Sequence, residues 1–355
     1  MSNKRVFLDN AATTPIAPEI IDMMSKMMKT HFANPSSVHS YGRESKIIVE
    51  GARKKIAKLL NTSPGTIFFT SGGTEADNMA IKCAIHDHKI THAITSKISH
   101  HAVLFPLEDL EKEKLIKLSY VDIDKNGVVS ISHLEELLES NPRTFVSIMH
   151  ANNEIGTIQD IKVIGNICKE HNAIFHSDTV QTIAHFPFDM QKLNVDFMAA
   201  SAHKFHGPKG VGFIYISEDI QIKPFLRGGG QERNMRAGTE NVCGIAALAM
   251  AMEMAYENLE EETKYKTKYR DNGQTESSQA NGEEADGISL EAESGSLTVE
   301  DYSTNSFIEA ILLESGTQVS GQDHLAIESS LTRDDDIADG FLLEDGTGQD
   351  AGDVI

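Results

Sequence analysis

Residues 197–210 read FMAASAHKFHGPKG, an apolar run followed at once by two histidines, a lysine and a Gly-Pro turn. The run Phe197–Ala200 has the composition of a buried strand. Lys204 therefore stands at the end of a strand, where burial and neighbouring cations lower the pKa of an amine and make it a nucleophile toward carbonyls. For this segment alone, a surface loop with an ordinary lysine is the alternative.

Outward from this segment, short apolar runs alternate with amphipathic stretches through the first 265 residues. We predict strands at Ile67–Phe69, Ala93–Thr95, Leu118–Val121, Phe145–Met149, Ala173–His176, Phe197–Ala200 and Val211–Ile216. We predict helices at Glu75–His86, Leu134–Glu139, Ile161–His171 and Ala246–Glu261. The alternation predicts an α/β fold with a mostly parallel central sheet flanked by helices. Ligands of such sheets bind at the carboxyl ends of strands.

The net charge of -21 belongs almost entirely to one end of the 355-residue chain. Residues 271–355 hold 21 acidic residues and one basic residue, and every proline lies at or before Pro224. Beyond Thr263 the composition predicts a linker or disorder to about residue 296. The apolar patches Phe307–Leu313 and Phe341–Leu343 are each long enough for one helix or strand.

Composition also excludes several classes of protein. Three scattered cysteines without a CxxC pair argue against a disulfide-stapled secreted domain and a thiolate zinc site. We see no secretory signal and no apolar stretch near the ~20 residues of a membrane span, so we expect a soluble, cytoplasmic protein with no membrane partner. No basic stripe is present, so we expect no nucleic-acid partner.

The second cluster, residues 70–77, reads TSGGTEAD and lies between a predicted strand and a predicted helix. Paired glycines let the backbone approach an anion, and the helix N-terminus offers unpaired N–H groups. Thr74 and Asp77 also fit a capping box, and a plain helix cap is the alternative. Because no lysine follows the glycines, this is not a Walker loop.

Three further clusters follow strands. In residues 176–181, HSDTVQ, Asp178 leaves a buried strand and needs a cationic or N–H partner, or else caps the next helix. Residues 149–156, MHANNEIG, follow another strand. His100 and His101 follow a third, but neighbouring residues of a strand face opposite ways, so we do not expect a metal there.

Together the five clusters suit a phosphorylated aldehyde. Pyridoxal phosphate requires a Schiff-base lysine, a carboxylate that keeps its ring nitrogen protonated, and a phosphate pocket. Lys204, Asp178 and the turn before Thr74 supply these three chemistries at strand ends of one predicted sheet.

Residues 5–262 closely resemble the cysteine desulfurases, the class V aminotransferase branch of fold-type-I pyridoxal phosphate enzymes. The matching stretches are LDNAATTP (8–15), NPSSVH (34–39), SGGTE (71–75), HANNEIG (150–156), HSDTVQ (176–181), SAHKFHGPKG (201–210), GGGQE (228–232) and RAGTEN (236–241). The resemblance implies a large cofactor-binding domain at 15–262, with residues 1–14 associated with a smaller domain. Residues 263–355 would be a degenerate remnant of that smaller domain, or disordered.

The resemblance also implies roles for single residues. Lys204 would be the Schiff-base lysine, His100 would stack on the ring and help proton transfer, and Asp178 would pair with the ring nitrogen. Further ring and phosphate contacts are implied for Gly73, Thr74, Asn153, Gln181, Ser201 and His203. Thr239 would reach the phosphate of a neighbouring subunit, which implies a homodimer.

The implied function is a pyridoxal-phosphate cysteine desulfurase. It would convert L-cysteine to L-alanine and pass sulfur as a persulfide to an iron–sulfur scaffold or another acceptor protein. Departures keep two alternatives open: a homologue with other amino-acid chemistry, and a non-catalytic dimeric scaffold. No cysteine follows Cys243, the stretch Ser315–Gly321 only faintly resembles the family's cysteine loop, and Glu328 stands where the family has its substrate arginine. Cys83 and Cys168 fit core positions, and we also expect Cys243 to be buried.

Overall fold

The computed structural model describes residues 7, 9–141, 143–259, 289–293, 296–299 and 325–326. Residues 7–259 belong to one compact unit, and the three short stretches beyond residue 288 belong to a second.

Seven α-helices and seven strands form the described part of the first unit. The helices are α1 (Pro18–Thr30), α2 (Ser40–Leu59), α3 (Gly73–Asp87), α4 (His101–Lys112), α5 (Ile131–Glu139), α6 (Ile161–Glu170) and α7 (Val242–Glu257). The strands are β1 (Ile67–Thr70), β2 (His92–Thr95), β3 (Lys117–Tyr120), β4 (Thr144–Ser147), β5 (Ile174–Asp178), β6 (Phe197–Ser201) and β7 (Gly212–Ile216).

The strands form one sheet in the order β1-β7-β6-β5-β4-β2-β3. Pairing is parallel from β6 through β5, β4 and β2 to β3, and β7 runs antiparallel to both of its neighbours. All seven predicted strands, the four predicted helices and the mostly parallel sheet are confirmed. Observed ends differ from the predicted ones by a few residues, the largest differences being those of α7.

Both faces of the sheet are buried, which explains why the strands read as unbroken apolar runs. In β6, Met198 and Ala200 join one apolar cluster, while Phe197 and Ala199 join the other. Helices α3 and α4 cover the second face, and the other five pack on the first. Helices thus cover both faces of the sheet.

The segment before α1 lies across the turn that follows β6. The backbone N–H of Thr14 donates to the carbonyl of His203 at 2.8 Å, and that of Ala17 to the carbonyl of His206 at 3.0 Å. The hydroxyl of Thr14 accepts the N–H of His206 at 2.7 Å. These bonds place residues 9–12 beside the end of β6.

The second unit contains β8 (Ser289–Glu293), β9 (Ser296–Val299) and β10 (Leu325–Ala326), an antiparallel sheet in the order β10-β8-β9. The prediction of a linker to about residue 296 is therefore wrong for β8, whose alternating sequence SLEAE is typical of a strand. The predictions for 307–313, 315–321, 328 and 341–343 lie outside the described residues. The division at residues 14 and 262 stays a prediction.

No described helix combines the length and apolar character needed to cross a membrane. Within the described ranges, no three His, Cys, Asp or Glu side chains are grouped so that they could hold a metal ion.

Candidate active site

A cavity of about 470 Å³ lies where β5 and β6 end and where the segments after β1, β2 and β4 converge. It is lined by nine of the ten residues singled out by the sequence: Gly73, Thr74, His100, Asn153, Asp178, Gln181, Ser201, His203 and Lys204. The tenth, Thr239, is exposed and does not line this cavity. The carboxyl ends of the strands thus bring the predicted clusters together, as expected for such a sheet.

Lys204 lies in a short 3-10 turn directly after β6 and is half-buried. Its ammonium group donates to the carbonyl oxygens of Ala11 and Ala12, the latter at 3.0 Å. Burial lowers the pKa of Lys204, and the negative charges of Asp178, Asp9 and Glu154 only partly oppose this. A lysine in this state gives up its proton more readily than a solvated one, as a nucleophile toward a carbonyl must.

Asp178 ends β5 and is buried at the wall of the cavity. One carboxylate oxygen accepts the N–H of Val180 at 3.0 Å. Burial raises the pKa of Asp178 and the neighbouring Asp77 raises it further, against the opposing effects of the Val180 N–H, His176 and His100. A buried carboxylate compensated by one hydrogen bond attracts a cationic group that enters the cavity.

Asp77, which also lines the cavity, is a site residue that sequence reasoning assigned elsewhere. Its spacing from Thr74 also fits a capping box, but α3 is capped by Gly72 without a side-chain bond, and Asp77 is 1% exposed. Its Oδ1 lies 3.3 Å from Nε2 of His176, and neither atom makes a hydrogen bond. Burial raises the pKa of Asp77 to about 8 and lowers that of His176 to about 4.

The turn from Ser71 to Thr74, which we call the phosphate turn, leads from β1 into α3. The helix is capped by Gly72 without a side-chain bond, and the Glu75 carboxylate instead accepts the N–H of Ser71 at 2.8 Å. The first amides of any helix have no acceptor within it. Because Gly73 and Thr74 line the cavity, the start of α3 presents these amides to a bound anion.

Gly73 fits a space that leaves no room for a side chain. A β-carbon at this position would lie 2.5 Å from a methyl group of Val180. The bulk of Val180 therefore favours glycine at this position.

His100 and His101 lie at the start of α4 and not on a strand, so the strand argument that they face opposite ways is wrong; their ring centroids lie 6.2 Å apart. His100 caps α4, its Nδ1 accepts the N–H of Ala102 at 3.0 Å, and it lines the cavity. The neutral ring therefore carries its proton on Nε2. His101 stacks on Phe105 with ring centroids 4.6 Å apart.

His203 and Gln181 connect the cavity to the N-terminal segment. Nδ1 of His203 lies 3.1 Å from the hydroxyl of Thr13, and the amide of Gln181 donates to the carbonyl of Ala11 at 2.9 Å. Burial, with the charges of Lys204 and Lys209, lowers the pKa of His203 to about 4. His203 is therefore a neutral hydrogen-bonding group near pH 7.

The three cysteines do not line the cavity. Cys83 and Cys168 are buried, as predicted, and burial raises the pKa of both thiols, that of Cys83 to about 12. The prediction of burial for Cys243 is wrong, because it is only half-buried at the start of α7. Its pKa is nevertheless raised by desolvation.

Comparisons with known proteins agree with this geometry. The family model "Aminotransferase class-V" matches residues 6–305. A cysteine desulfurase IscS of Clostridium botulinum is 46% identical over 259 residues, which are 72% of this chain and 65% of that protein. The chain thus spans about two thirds of the length of that curated relative.

Two solved structures are similar as well. A NifS-like protein superposes with a TM-score of 0.73 at 42% identity, covering 77% of this chain and 75% of that one. SspA in complex with cysteine superposes with a TM-score of 0.66 at 34% identity, covering 70% and 72%.

Proposed function

Because the chain belongs to the class V aminotransferase family, in its cysteine desulfurase branch, we propose that it uses pyridoxal phosphate to remove sulfur from L-cysteine. The observation that carries the proposal is that one cavity joins Lys204, Asp178 and the start of α3. A phosphorylated aldehyde with a basic ring nitrogen requires a nucleophilic amine, a carboxylate and an anion site in that arrangement.

The residues present fit this cofactor. Lys204 has a lowered pKa and lines the same cavity as Gly73 and Thr74 of the phosphate turn. Asp178 is a buried carboxylate without a guanidinium or ammonium hydrogen bond among the described residues. Ser201, His203 and Thr74 would add hydrogen bonds to the phosphate, and Asn153, Gln181 and His100 would contact the ring.

The chain's own groups would control protons at two atoms, the ring nitrogen of the cofactor and the α-carbon of the substrate. When bound, pyridoxal phosphate supplies a protonated ring that withdraws electrons from the α-carbon of an amino acid. Asp178 would hold the ring nitrogen protonated by ion pairing. Lys204 would take the proton from the α-carbon of the substrate, and His100, which lines the same cavity, would assist this proton transfer.

The proposed overall reaction breaks the bond between the β-carbon and sulfur of L-cysteine. The sulfur atom passes to a thiolate, which becomes a persulfide, and the β-carbon gains a proton to give L-alanine. We place an iron–sulfur scaffold or another sulfur-acceptor protein downstream, in a cytoplasmic setting. The thiol that takes the sulfur first must be accessible and of low pKa.

The cysteines provide the observation that favours a second candidate function. All three thiols have raised pKa values and none lines the cavity. A cavity without its own thiolate suits β-elimination or racemisation of an amino acid, which need the lysine and the ring but no protein thiol.

A homodimer is part of the proposal, with Thr239 contacting the phosphate in the partner's cavity. Thr239 is exposed and lies outside its own cavity, which supports a role in another subunit. Several large apolar side chains around α2 are also exposed, among them Phe32 at 76%, Val38 at 89% and Ile47 at 70%. An apolar surface of this kind is typical of an interface.

The decisive experiment records the visible spectrum of the purified protein with pyridoxal phosphate, before and after L-cysteine is added, and then identifies the products. We expect a covalent chromophore that shifts with cysteine, and one alanine for each sulfide released in the presence of dithiothreitol. Pyruvate with ammonia, or D-cysteine, would instead establish the second candidate. Absence of any chromophore would overturn both and leave the dimeric scaffold, which sedimentation would detect.

A further inference from the structure

The loop between β7 and α7 is held against the rest of the first unit by two guanidinium–carboxylate pairs. Within the loop, Leu226 and Arg236 form a parallel bridge, and the N–H of Ala237 donates to the carbonyl of Leu226 at 3.0 Å. One pair lies deep in the protein and the other lies beside the cavity.

The deep pair joins Arg53 of α2 to Glu232 of the loop. The guanidinium makes two hydrogen bonds to the carboxylate, of 2.7 and 2.8 Å, and both side chains are almost fully buried. Glu232 also accepts the N–H of Phe69 at 2.8 Å. This pair therefore anchors the loop to β1, the strand that directly precedes the phosphate turn.

The second pair joins Arg236 of the loop to Glu75 in the first turn of α3. Nε and Nη2 of Arg236 donate to the two oxygens of Glu75 at 2.7 and 2.9 Å, an arrangement with fixed geometry. The same carboxylate accepts the N–H of Ser71 at 2.8 Å. Glu75 therefore ties both ends of the phosphate turn together, and Arg236 holds Glu75.

Charge gives Arg236 a second effect on the turn. A carboxylate in the first turn of a helix occupies the end of the helix dipole where an anion binds, and it would repel a phosphate beside Thr74. Burial alone would raise the pKa of Glu75, but hydrogen bonds from Arg236 and Ser71 outweigh it and keep the carboxylate ionised. The guanidinium of Arg236 compensates this charge.

We propose that Arg236 is a positioning residue for phosphate recognition: through Glu75 it fixes the phosphate turn and neutralises a carboxylate in the first turn of α3 that would oppose a bound phosphate there. This inference rests on the proposed function, since it concerns the same cavity. Arg236 would thus act on the cavity of its own subunit. Thr239 of the same loop is proposed to act on the cavity of the partner subunit.

The test compares two aldehydes that differ only in the phosphate. Dissociation constants for pyridoxal phosphate and for pyridoxal are measured on the cofactor-free protein by absorbance or fluorescence titration. For Arg236→Met we expect binding of pyridoxal phosphate to weaken about tenfold, equivalent to about 1.4 kcal/mol, and binding of pyridoxal to stay unchanged. Equal weakening for both ligands would overturn the proposal, because a general loss of structure affects both.

A double-mutant cycle identifies the pathway. If Arg236 acts through Glu75, the variant Arg236→Met/Glu75→Gln binds pyridoxal phosphate no more weakly than Arg236→Met alone, because the carboxylate charge has gone as well. Additive losses would show that the two residues act separately and would overturn the proposed route. Arg236→Lys keeps the charge but not the paired bonds, so we expect an intermediate loss; it also serves if the methionine variant does not fold.

The matched control is Arg233→Met in the same loop. Arg233 donates to the carbonyls of Pro64 and Gly65, away from the phosphate turn, so we expect unchanged affinity for both ligands. A wild-type protein that binds no pyridoxal phosphate would contradict the proposed function itself. A wild-type protein that binds it, with Arg236→Met binding equally well, would contradict only the role of Arg236.

Discussion

Glu232 and Asp178 are both buried carboxylates, yet their charges are compensated in opposite ways. Glu232 receives two hydrogen bonds from Arg53 and one from a backbone N–H. Asp178 receives one backbone N–H and lies near a second acid, Asp77. A fully paired carboxylate fixes a loop, whereas an incompletely paired one is ready to receive a cation. The comparison separates charges that stabilise the fold from charges kept for chemistry.

The largest effect we expect comes from the cavity that contains Asp178. Lys204→Ala removes the amine that lies in the same cavity as Asp178, so the covalent chromophore with pyridoxal phosphate should be lost completely. Visible absorbance before borohydride reduction, and peptide mapping of the label after it, measure this. Lys209→Ala, an exposed lysine five residues on, is the control and should keep the chromophore. Labelling that persists at another lysine would refute the assignment.

The second-largest effect tests the buried pair of Arg53 and Glu232. Arg53→Met leaves the buried carboxylate of Glu232 without its partner, which should lower the free energy of unfolding by about 3–5 kcal/mol. Urea unfolding followed by circular dichroism measures the change. Lys192→Met, which breaks the solvated pair with Asp189, should change the free energy of unfolding far less. Similar costs for the two variants would show that burial does not distinguish these pairs.

A third prediction concerns pH. Burial raises the pKa of Asp178 to about 7, so its contribution to stability is fully present below its ordinary pKa and is lost as pH rises toward 7. Relative to Asp178→Asn, the cofactor-free wild type should lose stability by up to about 1.4 kcal/mol per pH unit across this window. Unfolding curves from pH 4 to 8 test it, with Asp22→Asn as the surface control. Parallel pH profiles for wild type and Asp178→Asn would contradict the shift.

The smallest effect sharpens the description of the phosphate turn. Gly73→Ala places a methyl group 2.5 Å from Val180, which should cost about 1–3 kcal/mol and weaken pyridoxal phosphate binding. Val180→Ala in the same chain removes that methyl group and should restore most of both losses. Thermal unfolding and ligand titration of the two variants decide this. A double variant as weak as Gly73→Ala would mean that glycine is needed for another reason.

Much of the architecture could be predicted because the strands carry local signals. Apolar runs bounded by polar turns located all seven strands, and the rule that strand ends converge placed Lys204, Asp178 and Thr74 in one cavity. These inferences needed only the period of the hydrophobic pattern and the direction of the strands.

The rest depends on contacts between distant parts of the chain. Asp77 looked like a helix cap, because its spacing from Thr74 cannot show that its face of α3 is buried against His176. The Arg236–Glu75 pair joins residues far apart in sequence, and no local pattern marks it. Cys243 was expected in the core because α7 is apolar along its length, but its position in the first turn leaves it half-buried.

The pairing of β1 with β7 dictates when the cavity can form during synthesis. Thr70 is paired opposite Gly212, and the Glu75 carboxylate that accepts the N–H of Ser71 is itself held by Arg236, further along the chain. A ribosome must therefore release the chain past residue 236 before the anion site exists, although β1 emerged long before. Contacts of such long sequence separation form slowly, so the cofactor site should be among the last features to mature in a nascent chain.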